Sequence, residues 1–384
     1  MKLRPHQIEK SKELLKILQK YNCAYLRGEV RSGKTITALE AARLFGAIKV
    51  LILTRKKAID SIVSDYEKMN YQYYLLVTNY ESVHKVDNID FDLVIYDESH
   101  SLSAFPKPAK RVKEIKKRFS NIPCIWMTGT SAVESYSQYY HQFFVSAYSP
   151  FKQYKNFYHW ARVFVNVKQK RLSTHVINDY SDAKVQEIDE IIMPLTVVMT
   201  QQDAGIETKI NEHFIYVDIP DRIKKIADNL IKDRAVQGSS GYIMGETPAK
   251  LQSKLHQIYS GTVIVEKEDG ASEAITLDTF KVEAIRERFK GQKIAVAYYY
   301  QQELEMLKNV FGDSITSDLD EFNTTDKSFA IQQSSSEGMN LSKADCLVFL
   351  NWGFSGKNWV QARDRMTVRS RLTNDIYLIF EKEG

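Results

Sequence analysis

The sequence predicts an α/β protein with two similar lobes, each a mostly parallel sheet with helices on both faces. Three observations support this prediction. Two blocks of the chain alternate short apolar runs, typical of buried strands, with segments of helical periodicity. A glycine-rich loop follows the first such run, and two adjacent carboxylates follow another. With 384 residues and 43% hydrophobic content, the chain can form two domains with cores of their own.

The first block, residues 1–200, is predicted to form the first lobe. Its apolar runs are short and rich in β-branched residues, and amphipathic segments separate them. The predicted strands are 23–26, 49–54, 73–78, 91–96 and 123–128, and the predicted helices are 35–44, 58–69 and 108–119. The unusually aromatic segment 136–160 is expected to pack helices against this sheet.

Residues 201–275 lose the strict alternation and contain clusters of glycine and serine. We expect this segment to connect the lobes and to carry peripheral helices and a hairpin. Alternation returns in residues 276–384, the predicted second lobe. Its predicted strands are 293–299, 328–332, 344–351 and 375–380, and its predicted helices are 278–290, 301–310 and 357–366. Two blocks of the same kind predict two lobes with a cleft between them.

Residues 28–35, GEVRSGKT, fit the phosphate-loop pattern G-x-x-x-x-G-K-S/T. They lie between a predicted strand and a predicted helix, the context in which this pattern has meaning. Gly28, Ser32 and Gly33 belong to a loop whose backbone N–H groups can close around anionic oxygens, and the helix N-terminus adds partial positive charge. We expect Lys34 to reach the β- and γ-phosphates of a nucleotide, and Thr35 to help coordinate Mg²⁺.

A second predicted strand ends in the carboxylates Asp97 and Glu98, within the segment VIYDESH. Its apolar run is short and β-branched, as in a central parallel strand, and open α/β sheets bind ligands at the carboxyl ends of such strands. The expected roles are Asp97 on Mg²⁺ and Glu98 polarising the attacking water. Together with the phosphate loop, this pair predicts a site that hydrolyses nucleoside triphosphates.

Composition sets further limits. The net charge of +5 permits an acidic polymer as a partner without requiring one. The three cysteines are far apart in apolar runs, which fits neither a disulfide framework nor a zinc site and favours a reducing compartment. No signal peptide and no run of membrane-spanning length is visible. We therefore expect a cytoplasmic protein with no membrane contact.

Further segments resemble the superfamily 2 helicases and translocases, over nearly the whole chain. They are LRPHQ, LTRKKA, VTNYES, TGTS, KIAVAYYY, SSSEGMNLSKAD and QARDRMTVRSR. The resemblance implies two RecA-like lobes with ATP bound in the cleft between them. Within the superfamily, the acidic box followed by a basic helix, together with KLHQIYSG and QARDR, is most similar to compact Swi/Snf-type translocases of bacteriophages. The implied activity is nucleic-acid-stimulated ATP hydrolysis coupled to movement along DNA, in a bacterial or phage-infected cell.

The resemblance also implies roles for single residues. Gln7 would read adenine, and Gly338 would lie in the segment that touches both nucleotide and nucleic acid. Nucleic-acid contacts would include Arg55, Lys56 and Ser335.

Arg365 would be an arginine finger on the helix QARDRMTVRSR. The pattern has a second arginine three positions later, where this chain has Val368. We take Arg369 as its candidate replacement, with Arg371 also near. A salt-bridge role on the surface is the alternative for both Arg365 and Arg369.

Several interpretations remain open. The basic helix, with Lys110 and Arg111 as candidate contacts, is either a track for phosphates or a solvated face. His100 either links the nucleotide site to the cleft or only neighbours a helix cap. The tyrosines 298–300 either stack bases or complete the core.

Three functional hypotheses follow. The first is an ATP-dependent DNA translocase or helicase. The second is an ATP-gated clamp on DNA with slow hydrolysis. The third is the motor of a complex whose nuclease or recombination partner is another chain. DNA and RNA both suit the basic surfaces, and the sequence shows no wedge element that would separate strands.

Overall fold

The structure, a computed structural model, describes all residues except 1, 88, 130–131, 133–134, 173–174, 336–338, 354–358, 360–361, 369–370 and 383–384. The chain forms two compact units, Met1–Glu207 and Thr208–Gly384. Each unit contains a six-stranded sheet in which all neighbouring strands are parallel. Helices follow most of these strands along the chain, so the predicted α/β class with two mostly parallel sheets is confirmed.

The first unit begins with a helix that is not among those predicted from the sequence. Its elements are α1 Pro5–Tyr21, β1 Cys23–Gly28, α2 Lys34–Phe45, β2 Lys49–Thr54, α3 Ile59–Met69, β3 Tyr74–Asn79, β4 Leu93–Asp97, α4 Lys110–Phe119, β5 Cys124–Thr128, α5 Gln138–Phe143, α6 Phe157–Phe164, β6 Lys168–Leu172, β7 His175–Asp179, α7 Val185–Ile192 and β8 Thr196–Met199. The strand order in its main sheet is β3-β2-β4-β5-β1-β8.

Both faces of this sheet are buried, which explains why its strands are continuous apolar runs. One face packs Ile95 and Ile125 against α2 residues such as Leu39. The other face packs Tyr96 and Trp126 in a cluster that includes residues of α5 and α6. The aromatic segment therefore covers the sheet with helices, as predicted. Strands β6 and β7 lie outside the main sheet and pair with each other and with no other strand that the structure describes.

The second unit also contains a smaller sheet. Its elements are β9 Lys209–Val217, α8 Asp221–Asp233, β10 Ala235–Gly238, β11 Gly241–Met244, α9 Pro248–Ser260, β12 Thr262–Glu266, β13 Ser272–Thr276, α10 Phe280–Arg288, β14 Ile294–Tyr298, α11 Gln301–Phe311, β15 Ile315–Thr316, α12 Leu319–Thr324, β16 Ser328–Gln332, β17 Cys346–Phe349 and β18 Thr373–Glu381. The parallel sheet has the order β15-β16-β14-β17-β18-β9, and β10-β11-β12-β13 form an antiparallel sheet.

The segment predicted as a connector, 201–275, contributes to both of these sheets. Its strand β9 pairs with β18 along the whole length of both strands. The following helices α8 and α9 share a core with the antiparallel sheet, in which Leu230, Ile258 and Val263 are buried. Of the predicted helix 357–366, the structure describes a 3-10 turn at Asp364–Met366, and much of the rest lies outside the described residues.

Among the described residues, no helix combines the length and the apolar character that crossing a lipid bilayer would need.

Candidate active site

Four polar or small residues end four neighbouring strands of the first sheet. Strands β2, β4, β5 and β1 are adjacent and parallel, and their last residues are Thr54, Asp97, Thr128 and Gly28. Because parallel strands end at the same edge of a sheet, these residues lie together. A Cβ added at Gly129, next to Thr128, would lie 3.3 Å from Lys34 Nζ. The phosphate loop and the carboxylate pair therefore occupy one edge.

The phosphate loop joins β1 to α2 as a tight turn. Lys34 Nζ donates hydrogen bonds to the backbone oxygens of Gly28 (2.8 Å) and Glu29 (3.2 Å), and the buried Ser32 donates its hydroxyl to Glu29 O at 2.9 Å. Gly33 has a φ of 94°, which favours glycine. A Cβ at Gly28 would lie 2.4 Å from Lys34 Cγ. A side chain at either glycine would therefore disturb the conformation in which the Lys34 ammonium contacts the backbone of the loop.

Helix α1 packs its first turn against this loop. His6 Nε2 lies 3.0 Å from the backbone oxygen of Ser32. Gln7 is buried, its Oε1 accepts a hydrogen bond from Arg4 N at 2.9 Å, and its Nε2 lies 2.5 Å from where a Cβ of Gly33 would be. Gln7 is therefore beside the loop, and its role in reading adenine remains a prediction.

Asp97 is buried at the end of β4. The hydroxyl of Thr54 donates to Asp97 Oδ2 at 2.5 Å, and the hydroxyl of Tyr80 donates to the backbone oxygen of Asp97 at 2.6 Å. Burial raises the pKa of Asp97 to about 7, and the neighbouring Glu98 adds to this rise. The hydrogen bond from Thr54 and the charge of Lys34 act in the opposite direction. A cation bound beside Asp97 would favour its charged form in the same way.

Glu98 has a left-handed backbone, with a φ of 46°. For a residue with a side chain this conformation costs about 1 kcal/mol or more, and such strain is concentrated at functional sites. Its Oε2 accepts a hydrogen bond from Thr128 Oγ1 at 3.3 Å and lies 3.2 Å from His100 Nδ1. The carboxylate of Glu98 is therefore held by residues from the neighbouring strand end and from its own loop.

His100 connects three parts of this site. Its Nδ1 lies 2.8 Å from Thr128 Oγ1, and its Nε2 lies 3.3 Å from a guanidinium nitrogen of Arg55. Because a guanidinium group can only donate, Nε2 is the acceptor and we assign the proton of a neutral ring to Nδ1. His100 thus links Arg55, a candidate nucleic-acid contact, to Thr128 and Glu98. Of the two interpretations left open for His100, this geometry favours a link.

Thr35 and Asp97 have the oxygen ligands that Mg²⁺ prefers. Thr35 lies in the first turn of α2, next to Lys34, and Asp97 Oδ2 is already oriented by Thr54. The loop with its close-packed glycines and this donor set fit a Mg²⁺–nucleotide complex. Bound there, the ion would neutralise charge on the phosphates.

The basic helix α4 uses its cations in two ways. Its apolar residues Val112, Ile115 and Phe119 are buried. Arg111 donates hydrogen bonds to Glu81 Oε1 (2.6 Å) and to the backbone oxygen of Ser101 (3.1 Å), so it ties the helix to the rest of the unit. Lys110, Lys113 and Lys117 are exposed instead, as is Lys107 in the loop before the helix. Exposure leaves both interpretations of Lys110 open, whereas Arg111 has a structural role in addition to any contact with nucleic acid.

The remaining predicted residues are placed as follows. Lys56 is exposed in a short 3-10 turn after β2. Arg365 is buried in the second unit, and its backbone oxygen accepts a hydrogen bond from Leu341 N at 3.1 Å. Gly338, Arg369 and the side chain of Ser335 lie outside the described residues. Their predicted roles remain predictions.

Arg371, the other arginine near the missing second finger, is described. Its guanidinium donates to the backbone oxygens of Ala344, Asp345 and Thr373. These bonds tie the start of β18 to the loop before β17 and commit Arg371 to the structure of its own unit.

Four residues of the site were not singled out from the sequence: Thr54, Thr128, Tyr80 and His6. Thr54 carried a usable signal, because a hydroxyl residue that ends an apolar parallel strand lies on the ligand-binding edge. Tyr80 and His6 act through contacts that join distant parts of the chain. No local pattern predicts such contacts.

Replacing Thr54 with Val should slow nucleotide hydrolysis by about tenfold, because Asp97 would lose the donor that orients Oδ2 and stabilises its charge. The Mg²⁺ concentration required for half-maximal rate should rise. Thr54→Ser keeps the hydroxyl and should restore both quantities. Steady-state hydrolysis at varied Mg²⁺ measures them. Equal rates for the Val and Ser variants would contradict a role for this bond.

Comparison with known proteins shows the fold. No protein-family model matches the chain, and no curated protein matches it in sequence. The structure is similar to the Hef helicase domain of Pyrococcus furiosus, with a TM-score of 0.50 and 12% identity over 100% of this chain and 96% of that chain.

It also aligns with the Sulfolobus solfataricus SWI2/SNF2 ATPase core in complex with dsDNA, with a TM-score of 0.45 and 15% identity over 99% of this chain and 88% of that chain. The alignment with the Sulfolobus solfataricus SWI2/SNF2 ATPase core domain has a TM-score of 0.45 and 14% identity over 99% of this chain and 86% of that chain. Because those two TM-scores are below 0.5, the fold is inferred from the similarity to the Hef helicase domain. The chain has the fold of that helicase domain, with two RecA-like α/β lobes.

Proposed function

We propose that this chain is a Mg²⁺- and ATP-dependent motor that couples ATP hydrolysis to movement along DNA or to its remodelling. One observation carries the proposal: Gly28, Thr54, Asp97 and Thr128 meet at one edge of four neighbouring parallel strands, with the phosphate loop on the same edge. Open α/β sheets bind ligands at such edges, and a helix N-terminus behind a glycine-rich loop suits phosphates. The fold of a helicase domain is compatible with this function.

In this proposal each residue has a distinct task. Lys34 neutralises the β- and γ-phosphates, Thr35 and Asp97 hold Mg²⁺, and Gln7 reads the base. Glu98 orients the attacking water, and His100 and Thr128 fix its carboxylate. Arg365 supplies positive charge to the transition state, as arginine fingers do in phosphoryl transfer.

The contact between Arg55 and His100 supports stimulation by nucleic acid. If Arg55 binds a phosphate of the polymer, His100 connects that contact to Glu98. Lys56 beside it and the exposed lysines of α4 would add contacts to phosphates that are independent of sequence. DNA, a Swi/Snf-like mode of translocation and a bacterial or phage-infected cytoplasm rest on the sequence resemblance. A nuclease or recombination partner is proposed on the same ground.

A second candidate is the ATP-gated clamp on DNA. Val368 at the position of the second finger favours it, as does the use of Arg371 within its own unit. With only one finger, transition-state charge would be less well stabilised and hydrolysis would be slow.

Replacing Lys34 with Ala should lower ATP turnover by about 100-fold or more, because a preorganised charge on the phosphates is lost. The fold should persist, since Lys34 is bonded only to backbone oxygens of its own loop among the contacts described above. Lys49→Ala removes an exposed lysine at the opposite end of β2 and should not change turnover. Turnover is measured with and without DNA, and folding by circular dichroism.

Undiminished hydrolysis in Lys34→Ala would contradict the proposed site. Negligible turnover by the unmodified protein, together with ATP-dependent binding of DNA, would favour the clamp instead.

Replacing Lys110, Lys113 and Lys117 together with Gln should weaken binding of duplex DNA and reduce its salt dependence. If all three contact phosphates, the slope of log affinity against log salt should decrease by roughly 2 to 3. The matched control replaces Lys12, Lys16 and Lys20, which are exposed on α1. Equal slopes for the two triple variants would identify the lysines of α4 as a solvated face.

A further inference from the structure

The acid loop, here defined as residues 98–104, begins with a residue whose backbone is strained. Glu98 has a φ of 46°, and a residue with a side chain keeps such a conformation only where the surrounding structure over-determines it. The carboxylate of Glu98 contacts Thr128 and His100, as described above. Its backbone needs contacts of its own, because the backbone sets the point from which the carboxylate extends.

Gln142 of helix α5 holds the residue that follows Glu98. Its Nε2 donates one hydrogen bond to Ser99 Oγ at 2.6 Å and a second to the hydroxyl of Tyr25 at 3.2 Å. Gln142, Ser99 and Tyr25 are all fully buried. Water cannot compete for these bonds, and a hydrogen bond is electrostatically stronger inside a protein than in water. The start of the acid loop is therefore attached to α5.

The same amide group connects the acid loop to the strand that carries the phosphate loop. Tyr25 lies in β1, which ends at Gly28, the first residue of the phosphate loop. In the main sheet, β5 lies between β1 and β4, so β1 and β4 are not direct neighbours. Gln142 spans this separation with its two donors. It thus joins the strand before the phosphate loop to the loop that follows Asp97.

Helix α5 is itself fixed on the sheet. The ring of Phe143 contacts the rings of Tyr25 and Trp126, with centroid distances of 5.3 and 4.8 Å. At the other end of the acid loop, His141 forms a hydrogen bond with the backbone of Ala104. The helix therefore holds the acid loop at two points while it packs against β1 and β5.

The choice of glutamine at this position has a cost. Gln142 Oε1 is buried and has no hydrogen-bond partner in the part of the chain that the structure describes. A buried acceptor without a partner costs about 1–3 kcal/mol. A methionine would fill a similar space in this aromatic cluster without that cost. The two hydrogen bonds that the Gln142 amide donates therefore explain the residue better than its packing does.

We propose that Gln142 is a positioning residue for Glu98. Its amide fixes Ser99, so that the Glu98 carboxylate keeps a defined place at the end of β4 relative to the phosphate loop. A misplacement of about 1 Å in such a site can cost roughly 10²-fold in rate. The inference rests on the proposed ATP hydrolysis and deepens it, because it names the contact that holds the acid proposed to orient the water.

The first test replaces Gln142 with Met, which keeps the length of the side chain and removes both donors. Single-turnover hydrolysis should be about tenfold slower, because Glu98 is less well placed. The KM for ATP should stay within about twofold of that of the unmodified protein, since the contacts of the phosphate loop are unchanged. Ser99→Ala removes the partner of the same bond and should give the same defect. It carries the test if Gln142→Met does not fold.

The matched control is Tyr140→Phe. Tyr140 lies on the same helix, is also buried, and donates its hydroxyl to the backbone oxygen of Tyr154 at 3.2 Å, away from the acid loop. Removing this bond should leave the rate of hydrolysis unchanged. Circular dichroism checks that all variants fold.

A double-mutant cycle separates positioning from general damage. If Gln142 acts through Glu98, adding Gln142→Met to Glu98→Gln should slow single-turnover hydrolysis no further. Hydrogen exchange gives a second readout that needs no nucleotide. The amide of Ser101 donates to Glu98 O at 2.9 Å within the acid loop. Its exchange should become faster in Gln142→Met and not in Tyr140→Phe, because only the first releases the loop.

Other results overturn the proposal. Hydrolysis within about twofold of the unmodified rate in both Gln142→Met and Ser99→Ala would do so. So would a further tenfold loss, of about the size seen in the unmodified protein, when Gln142→Met is added to Glu98→Gln. An equal loss in Tyr140→Phe would show general damage to α5. An unmodified protein without ATP turnover would contradict the proposed function, whereas the exchange of Ser101 would still test the hold of Gln142 on the acid loop.

Discussion

The parallel pairing of β2, β4, β5 and β1 is the constraint on which the rest of the first unit depends. Each of these strands is hydrogen-bonded on both sides, so their ends are positioned by the sheet rather than by flexible loops. The register that pairs Leu53 with Tyr96 brings the next residues, Thr54 and Asp97, within hydrogen-bonding distance. The loops that begin at this edge then place Lys34 and Glu98 beside them. Catalytic geometry is more precise on rigid elements of this kind.

Much of this arrangement could be predicted from the sequence because its determinants are local. A central parallel strand is buried on both faces and therefore reads as a continuous apolar run, which located β4 and β5 within two residues. The glycines and lysine of the phosphate loop have meaning only between a strand and a helix, and both flanking elements were visible. Asp97 and Glu98 are at the end of a strand and Lys34 is at the start of the helix after the phosphate loop, where this reasoning put them, and their chemical roles remain proposals.

Other features could not be predicted because they depend on distant or exposed residues. Strand β9 lies at the edge of its sheet, and nearly all of its residues are exposed or half-buried, so it is not an apolar run. Its partner strand β18 is more than 150 residues away in the chain. The role of Arg111 also depends on a distant residue, because its partner Glu81 lies 30 residues earlier in the chain. Arg111 belongs to a run of charged residues, yet this contact gives it a structural role. Strands β6 and β7 were not predicted because none of their described side chains is buried and strand patterns are recognised by burial. Sequence reasoning is weakest for exposed two-stranded ribbons of this kind.

The central claim is that this strand edge hydrolyses ATP and that Glu98 orients the water. The most direct measurement compares Mg²⁺–ATP binding with single-turnover hydrolysis in the Glu98→Gln variant, which keeps the size of the side chain and removes its charge. The account predicts binding within about threefold of the unmodified protein and hydrolysis slowed by roughly 10²- to 10³-fold, the contribution expected of a positioned base. Hydrolysis within about twofold of the unmodified rate would contradict it.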